Sequence, residues 1–266
     1  MTNKTVSIDK FPVFRTVFGS FGLFLDNMKS YLLIGSVFSL IITVLNYLSG
    51  QSLMCGNALF NEHIFCSRNL YVFMTSNVLL WFVFCVYARI WSQSAILKKY
   101  AFSLKTLLPN KTDLKLYAFA LLFTLSIFIA LGAGFLLYKR VPNPDWKIEL
   151  IYFSIVSIGF FAPMFATPLL SYATFAIEDE KLPSIKELWQ ASRQRIVLIF
   201  ISFVSVMLIS FLASSSVLRY FLQLSMVDNI FVVVIAEFLY NIVIMFIVSV
   251  YMNYCYMQKK ILFERD

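Results

Sequence analysis

Long apolar runs, separated by short polar segments, make up most of the chain. Each run holds about 20 residues or more, the length that a helix needs to cross a hydrocarbon core about 30 Å thick. The pattern predicts an all-α fold, a polytopic six-helix transmembrane bundle forming one integral membrane domain over residues 1–266. The predicted spans are 31–48, 70–91, 116–138, 149–176, 196–218 and 229–254.

The basic residues are distributed unevenly between the two sides of these spans. Of the 22 Lys and Arg residues, 17 fall in the N-terminal segment, the second and fourth loops and the C-terminal tail, which leaves 5 for the other loops. Loops that stay in the cytoplasm carry an excess of Lys and Arg. The distribution therefore predicts a multi-pass protein with cytoplasmic N- and C-termini.

Composition agrees with a membrane protein and narrows its partners. Apolar residues make up 60% of the chain and charged residues 14%, whereas a soluble domain is about one-quarter charged. The net charge of +8 lies on the predicted cytoplasmic side, where anionic lipid attracts basic side chains. We therefore expect membrane lipids as partners and no nucleic acid. A homo-oligomer or a membrane-protein partner is left open.

An amphipathic helix is predicted over residues 11–25, ahead of the first span. Its apolar residues recur at steps of three and four, and Arg15, Thr16 and Ser20 fall elsewhere on the helical wheel. Such a helix lies in the membrane interface with its apolar face toward the acyl chains. The apolar residues are Phe11, Phe14, Phe18, Phe21 and Leu25.

Two later segments resemble this helix, which suggests an internal repeat. Residues 101–108 and 182–189 share with 11–18 an apolar residue before a basic one, followed by a further apolar pair. Each segment precedes an outward-going span, so the chain could contain three helical-hairpin repeats, each beginning with an interfacial helix. In the third segment, Ser184 and Glu187 have the spacing of a capping box, which predicts a helix beginning at Ser184.

A second polar feature is the acidic run 178–180, which precedes the third segment. Two interpretations are open for it, a solvated turn or a docking site for a partner or a cation.

Glu237 is the one acidic residue well inside a predicted span. Asn241 follows one turn later on the same face, and counting from the outer boundary places Asn77 and Thr43 at a similar depth, together with Ser157 and Ser210. We therefore predict an intramembrane polar site of Glu237, Asn241, Asn77 and Thr43. It could bind a cation or proton or contact a polar headgroup. Alternatively, a protonated Glu237 holds helices together through hydrogen bonds.

Cysteines and prolines supply two further predictions. Cys55 and Cys66 share the first outer loop, where an oxidising compartment would permit a disulfide, although two free thiols are the alternative. Pro163 and Pro168 interrupt the fourth span, because proline removes a backbone donor and clashes with the preceding turn. They predict a kink, used either as a hinge or as a static bend.

The motifs expected of an enzyme are missing from the sequence. The single histidine, His63, lies in an outer loop, and no zinc-protease, nucleotide-binding or hydrolase motif occurs. We therefore predict a non-enzymatic protein, with no catalytic residues, no cofactor and no bound metal.

Three features together resemble a known family. They are the amphipathic helix before the first span, the proline-containing fourth span (Ala162-Pro163) leading to an acidic turn, and the Ser-rich segment 182–193. They look like the YciC-type bacterial inner-membrane proteins, and the related membrane domain of some glycerophosphodiester phosphodiesterases. The resemblance implies a six-helix inner-membrane protein of poorly defined role, which would assist membrane, lipid or envelope organisation. The alternative is a transport subunit, either an ABC-2-like permease half or a small-solute or lipid transporter.

Overall fold

The computed structural model describes residues 12–49, 70–99, 102–118, 149, 167–224 and 229–263. Within these ranges every regular element is helical and no strand occurs, so the all-α class is confirmed. The α-helices are α1 (Val13–Asp26), α2 (Met28–Ser49), α3 (Leu70–Trp91), α4 (Ser171–Glu178), α5 (Ile185–Ser192), α6 (Ile196–Leu224) and α7 (Ile230–Phe263). A further helical stretch covers 111–118.

Four of these helices, α2, α3, α6 and α7, are long and apolar enough to cross a membrane. α3 has the same bounds as the predicted span, whereas α7 continues nine residues beyond it. With 34 residues, α7 is about 51 Å long at 1.5 Å per residue, so it exceeds the hydrocarbon thickness. Most of the predicted third and fourth spans, together with Cys55, Cys66 and Pro163, lies outside the described residues.

α7 is the central helix, and it packs against α1, α2, α3, α4 and α6. α3 runs parallel to it, because Tyr87 meets Ser249 and Trp91 meets Asn253 one turn further along both helices. α6 has the opposite direction, as expected for a neighbour joined by a short connection, and its first turns lie beside the last turns of α7.

α1 packs alongside the last turns of α7 and has two different faces. Phe14, Phe18 and Leu25 are exposed, as predicted for an interfacial helix. Thr16 and Ser20, predicted on the polar face, are instead fully buried. Their small side chains allow close packing. A Cβ at Gly19 would lie 2.8 Å from Cε of Met257, and Nδ2 of Asn253 donates to the Ser20 carbonyl over 2.9 Å. This face is therefore an interhelical contact.

The three segments compared as repeats adopt unequal structures. The first forms the 14-residue helix α1 and the third the eight-residue helix α5, but the second forms only a 3-10 turn, Leu104–Leu107. The expectation of an interfacial α-helix at 101–108 is therefore wrong. Leu108 is extended, with ψ 131°, as is typical of a residue before proline, here Pro109.

The predicted helix start at Ser184 is confirmed. Its side chain accepts a hydrogen bond from the Glu187 amide, and the Glu187 carboxylate accepts one from the Ser184 amide. Pro168 is buried in a 3-10 turn, Thr167–Leu170, and α4 begins only after it, at Ser171. The backbone thus departs from α-helical geometry around this proline.

Candidate functional site

A stripe of buried polar residues follows α7 and faces several neighbouring helices. Glu237, Asn241, Ser249 and Asn253 recur at multiples of four residues, and each is at most 5% exposed. A four-residue step turns only about 40° around a helix, so neighbouring positions share a face, and the stripe, interrupted at Met245, winds around α7. Two of these residues, Glu237 and Asn241, belong to the predicted intramembrane site. The other two, Ser249 and Asn253, lie nearer the end of the bundle where α1 packs, which we call the α1 end.

The two stripe residues nearer the α1 end, Ser249 and Asn253, are each hydrogen-bonded to another helix. Ser249 forms a hydrogen bond with the hydroxyl of Tyr87 on α3. The Asn253 side chain accepts from Nε1 of Trp91 over 3.0 Å and donates to the Ser20 carbonyl of α1. These bonds join α1 and α3 to α7, and they also set the register between α3 and α7.

The other end of the stripe contains Glu237 and Asn241, the two residues of the predicted site that lie on α7. Nδ2 of Asn241 donates to Oγ1 of Thr43 over 2.9 Å, and Thr43 in turn donates to the Ser39 carbonyl over 2.8 Å. Because the Thr43 proton is used on Ser39, the atom of Asn241 that faces Thr43 must be a donor. The amide orientation is thereby determined, and Oδ1 of Asn241 is directed away from Thr43.

The helix register brings Asn77 to the same level. Asn77 lies ten residues before Tyr87, about 15 Å along α3, while Asn241 and Glu237 lie about 12 and 18 Å before Ser249 on the parallel α7. Asn77 is half-buried and Ser76 beside it is buried. Along the bundle axis, Asn77 therefore lies between the levels of Asn241 and Glu237, and Thr43 is bonded to Asn241.

α6 contributes a residue to this level that the depth count missed. Tyr254 contacts Ser202 over 3.2 Å, so in the antiparallel pair Ser214 lies about 18 Å from that contact and Asn241 about 20 Å. Ser210, predicted at this depth, lies one turn nearer the α1 end, and Ser157 is outside the described residues. We call Thr43, Asn77, Ser214, Glu237 and Asn241 the polar layer, within which Glu237 lies about 7.5 Å further from the α1 end than Ser214.

Two buried groups define the chemistry of the polar layer, the carboxyl group of Glu237 and the hydroxyl group of Ser214. Glu237 is 0% exposed, and an acidic group so placed must be neutralised or solvated by polar neighbours. The hydroxyl of Ser214 is buried and has no hydrogen-bond partner among the described residues. The layer therefore combines one carboxyl group with several neutral oxygen atoms.

A second polar region lies at the α1 end of the bundle, and we call it the ion-pair cluster (Arg89, Gln93, Asp113, Glu178, Glu180 and Lys259). Nε of Arg89 lies 2.6 Å from Oδ1 of Asp113, and the two side chains are 4% and 0% exposed. Arg89 also donates to the carbonyls of Thr106 and Leu108. One buried guanidinium group on α3 thus binds the segment 104–113 at three of its residues.

Lys259 occupies the other half of the ion-pair cluster. Its ammonium group is paired with Glu178, lies 2.7 Å from Glu180, and sits 4.6 Å from the centre of the Phe175 ring. Gln93 links the halves, because it accepts from Arg89 over 3.4 Å and donates to the Ile177 carbonyl over 3.5 Å. The ion-pair cluster thus joins four segments of the chain, namely the end of α3, the segment 104–113, the end of α4 with Glu180, and the end of α7.

The two acidic partners of Lys259 respond differently to their surroundings. The hydrogen bond from Lys259 lowers the pKa of Glu180, whose side chain is half exposed. Burial raises the pKa of Glu178, against the opposing influence of the ammonium group. Lys259 thus engages two of the three carboxylates of the acidic run 178–180, while Asp179 lies at an exposed turn, as the solvated-turn interpretation predicts.

The sequence offered little sign of this cluster. Lys259 and Asp113 look like ordinary residues of a charged cytoplasmic segment, and only the packing shows that they are buried. Within the described ranges no three His, Cys, Asp or Glu residues are grouped to hold a metal ion, and Cys85 and Cys255 are buried free thiols. No family model, curated protein or solved structure matches this chain.

Proposed function

We propose that the protein is a non-enzymatic, multi-pass inner-membrane protein of bacteria that assists lipid or envelope organisation through its interfacial helices. The observation that carries this proposal is the outward face of α1, where Phe14 is 77%, Phe18 66% and Leu25 63% exposed. The opposite face is locked to α7, so the exposed rings are held at the bundle surface by a rigid element.

α5 adds a second apolar surface that suits the same role. Ile185 is 75% and Trp189 48% exposed, while Leu188 and Ser192 are buried against the bundle. Exposed basic residues accompany both helices, including Arg15, Lys186 and Arg193. Aromatic side chains with neighbouring cations are suited to the headgroup region of an anionic leaflet.

The proposed topology has six spans with both termini in the cytoplasm. Asp113 and Glu178 both belong to the ion-pair cluster at the α1 end, so an even number of crossings between them is consistent with this topology. The predicted spans 116–138 and 149–176 supply two. The basic bias assigns the α1 end to the cytoplasm, and cysteine labelling of intact cells from each side would test this assignment.

Native mass spectrometry of the full chain in mild detergent tests the lipid role. We expect phospholipid to remain bound to the wild type and to be largely lost from the Phe14→Ser, Phe18→Ser double variant. Phe231→Ser is the matched control, because Phe231 is also 77% exposed but lies at the first turn of α7, far from α1. Equal lipid retention by both variants would contradict the proposal.

A transport subunit is the second candidate function, and the polar layer is the observation that favours it. Buried polar residues inside a bundle are typical of substrate and ion pathways. The same mass spectrometry discriminates between the two, since a stoichiometric ATPase or a second copy of the chain would support a permease half. A lone protomer carrying only lipid would support the first proposal.

A further inference from the structure

We propose that Arg15, Arg195 and Lys260, which we call the basic site, bind the phosphate group of an anionic phospholipid in the leaflet at the α1 end. The inference rests on the proposed lipid-organising role and deepens it, because it names the class of lipid and the residues that select it. Lys260 follows Lys259 of the ion-pair cluster, but it lies about 100° around α7 from it and therefore faces other neighbours.

The packing of α1 on α7 brings Arg15 and Lys260 to the same end of one helix contact. A Cβ at Gly19 would lie 2.8 Å from Cε of Met257, so the two helices are in close contact there. They run in opposite directions, because Phe24 further along α1 contacts an earlier residue of α7. Arg15 comes four residues before Gly19 and Lys260 three residues after Met257. Each therefore lies one turn further toward the α1 end, on the flank of the contact.

α6 brings Arg195 to the same end of the bundle. The Tyr254 hydroxyl on α7 donates to the Ile199 carbonyl over 2.9 Å, and the Ile199 amide donates to the Arg195 carbonyl over 2.9 Å. Because α6 and α7 are antiparallel, Arg195 lies about 6 Å beyond this contact toward the α1 end, and Lys260 lies about 9 Å beyond Tyr254 in the same direction. α6 also packs against α1. The basic site thus lies where three mutually packed helices end.

The positive charge of the basic site is not balanced within the described part of the chain. There, no ion pair involves Arg15, Arg195 or Lys260. Asp26 lies at the other end of α1 from Arg15. The remaining described acidic residues of the α1 end are engaged elsewhere, namely those of the ion-pair cluster by Arg89 and Lys259, Asp179 by Lys115, and Glu187 by the cap of α5.

Burial makes this excess of charge unfavourable without an anion. Arg195 and Lys260 are half-buried, and a charge that leaves water without a partner costs free energy. A phosphate group supplies negative charge and several acceptor oxygens, and guanidinium groups bind phosphate through paired hydrogen bonds.

The neighbouring surface favours a lipid as the source of the phosphate. Phe14 and Phe18 flank Arg15 on α1 and are 77% and 66% exposed, so acyl chains would cover them while the headgroup meets the basic site. A zwitterionic headgroup carries its own cation, which three unbalanced basic residues repel. The basic site is therefore expected to select a lipid with net negative charge.

The test is a lipid competition on the full chain in mild detergent, followed by native mass spectrometry. With equimolar phosphatidylglycerol and phosphatidylcholine of the same acyl chains, we expect the wild type to prefer phosphatidylglycerol about tenfold. The Arg195→Gln, Lys260→Gln double variant should retain the two lipids about equally. Lys111→Gln is the matched control, because Lys111 is an exposed lysine of the segment 104–113, outside the basic site, and it should keep the preference.

Equal retention of the two lipids by the wild type would overturn the inference, even if the double variant fails to fold. Loss of the preference in Lys111→Gln as well would also overturn it, since general surface charge would then be responsible. A preference abolished by inorganic phosphate, relative to chloride of the same ionic strength, would assign the site to a soluble phosphate and overturn the lipid assignment. The proposed function is judged separately, by the total phospholipid that the Phe14→Ser, Phe18→Ser variant retains.

Discussion

The ion-pair cluster and the polar layer are both buried polar regions, but they differ in how their charges are balanced. In the cluster, Arg89 meets Asp113, and Lys259 meets two carboxylates. The layer holds one acidic residue, Glu237, together with the neutral residues Thr43, Asn77, Ser214 and Asn241. Balanced charges joined by hydrogen bonds hold segments together, whereas an acidic residue within a membrane bundle is a common feature of functional sites. The first region is therefore a structural joint and the second a candidate binding site.

Breaking the Arg89–Asp113 pair should have the largest effect. Arg89→Met leaves the Asp113 carboxylate buried without its partner, and loss of one member of a buried pair typically costs about 3–5 kcal/mol. We expect the Tm in detergent to fall by about 10 °C. The exposed pair of Lys115 and Asp179, with side chains 58% and 88% exposed, is the control, and Lys115→Met should change the Tm by less than about 2 °C.

A double variant sharpens this prediction. Arg89→Met with Asp113→Leu removes both charges, so it should recover part of the stability that the single variant loses, because no buried charge remains without a partner. If the single variant is as stable as the wild type, the cluster is not a structural joint and the comparison fails.

Lys259→Met should have a smaller effect that depends on pH. Glu180 is half exposed, so solvent already screens part of its pairing with Lys259. Burial raises the pKa of Glu178, so this second partner can take up a proton when the ammonium group is removed. The pKa of Glu180 is lowered in the folded protein, so its pairing stabilises fully above its unfolded pKa and is lost as the pH falls through the folded pKa. Thermal unfolding at pH 7 and near pH 3 should show a Tm difference between wild type and variant that shrinks in acid. A difference that grows in acid would contradict this account.

The hydrogen bond between Asn241 and Thr43 should contribute less than either ion pair. A double-mutant cycle with Thr43→Val and Asn241→Leu, measured by thermal unfolding, should give a coupling of about 0.6 kcal/mol, the usual value between membrane helices. A coupling energy above about 2 kcal/mol would show that the polar layer, like the ion-pair cluster, mainly holds helices together.

Glu237→Gln should have the smallest effect on stability. The variant removes an acidic group that is unfavourable in a dry bundle and keeps its shape, so the Tm should stay within about 3 °C of the wild type or rise slightly. A Tm loss as large as that of Arg89→Met would show that Glu237 is a structural residue.

Much of the fold and part of the site could be predicted from local pattern. The bounds of α3, the capping box at Ser184 and the apolar face of α1 follow from periodicity and short-range spacing. The predicted site followed from two such rules, the four-residue step between Glu237 and Asn241 and a count of depth. Counting residues from a predicted span boundary gives the depth of a residue only to about one helical turn. For this reason the prediction names Ser210, whereas the register between α6 and α7 puts Ser214 at the level of Asn241.

By itself, the sequence determined that the chain is helical and apolar, where its described long helices lie, and that Glu237 and Asn241 share a face. These properties depend on helical geometry and on transfer of side chains out of water, which act along one segment at a time. Only the tertiary structure decided that Thr16 and Ser20 face α7 and that Lys259 pairs with Glu178 and Glu180. Those outcomes depend on which surfaces of distant segments meet, and burial converts an ordinary charged or small residue into a specific contact.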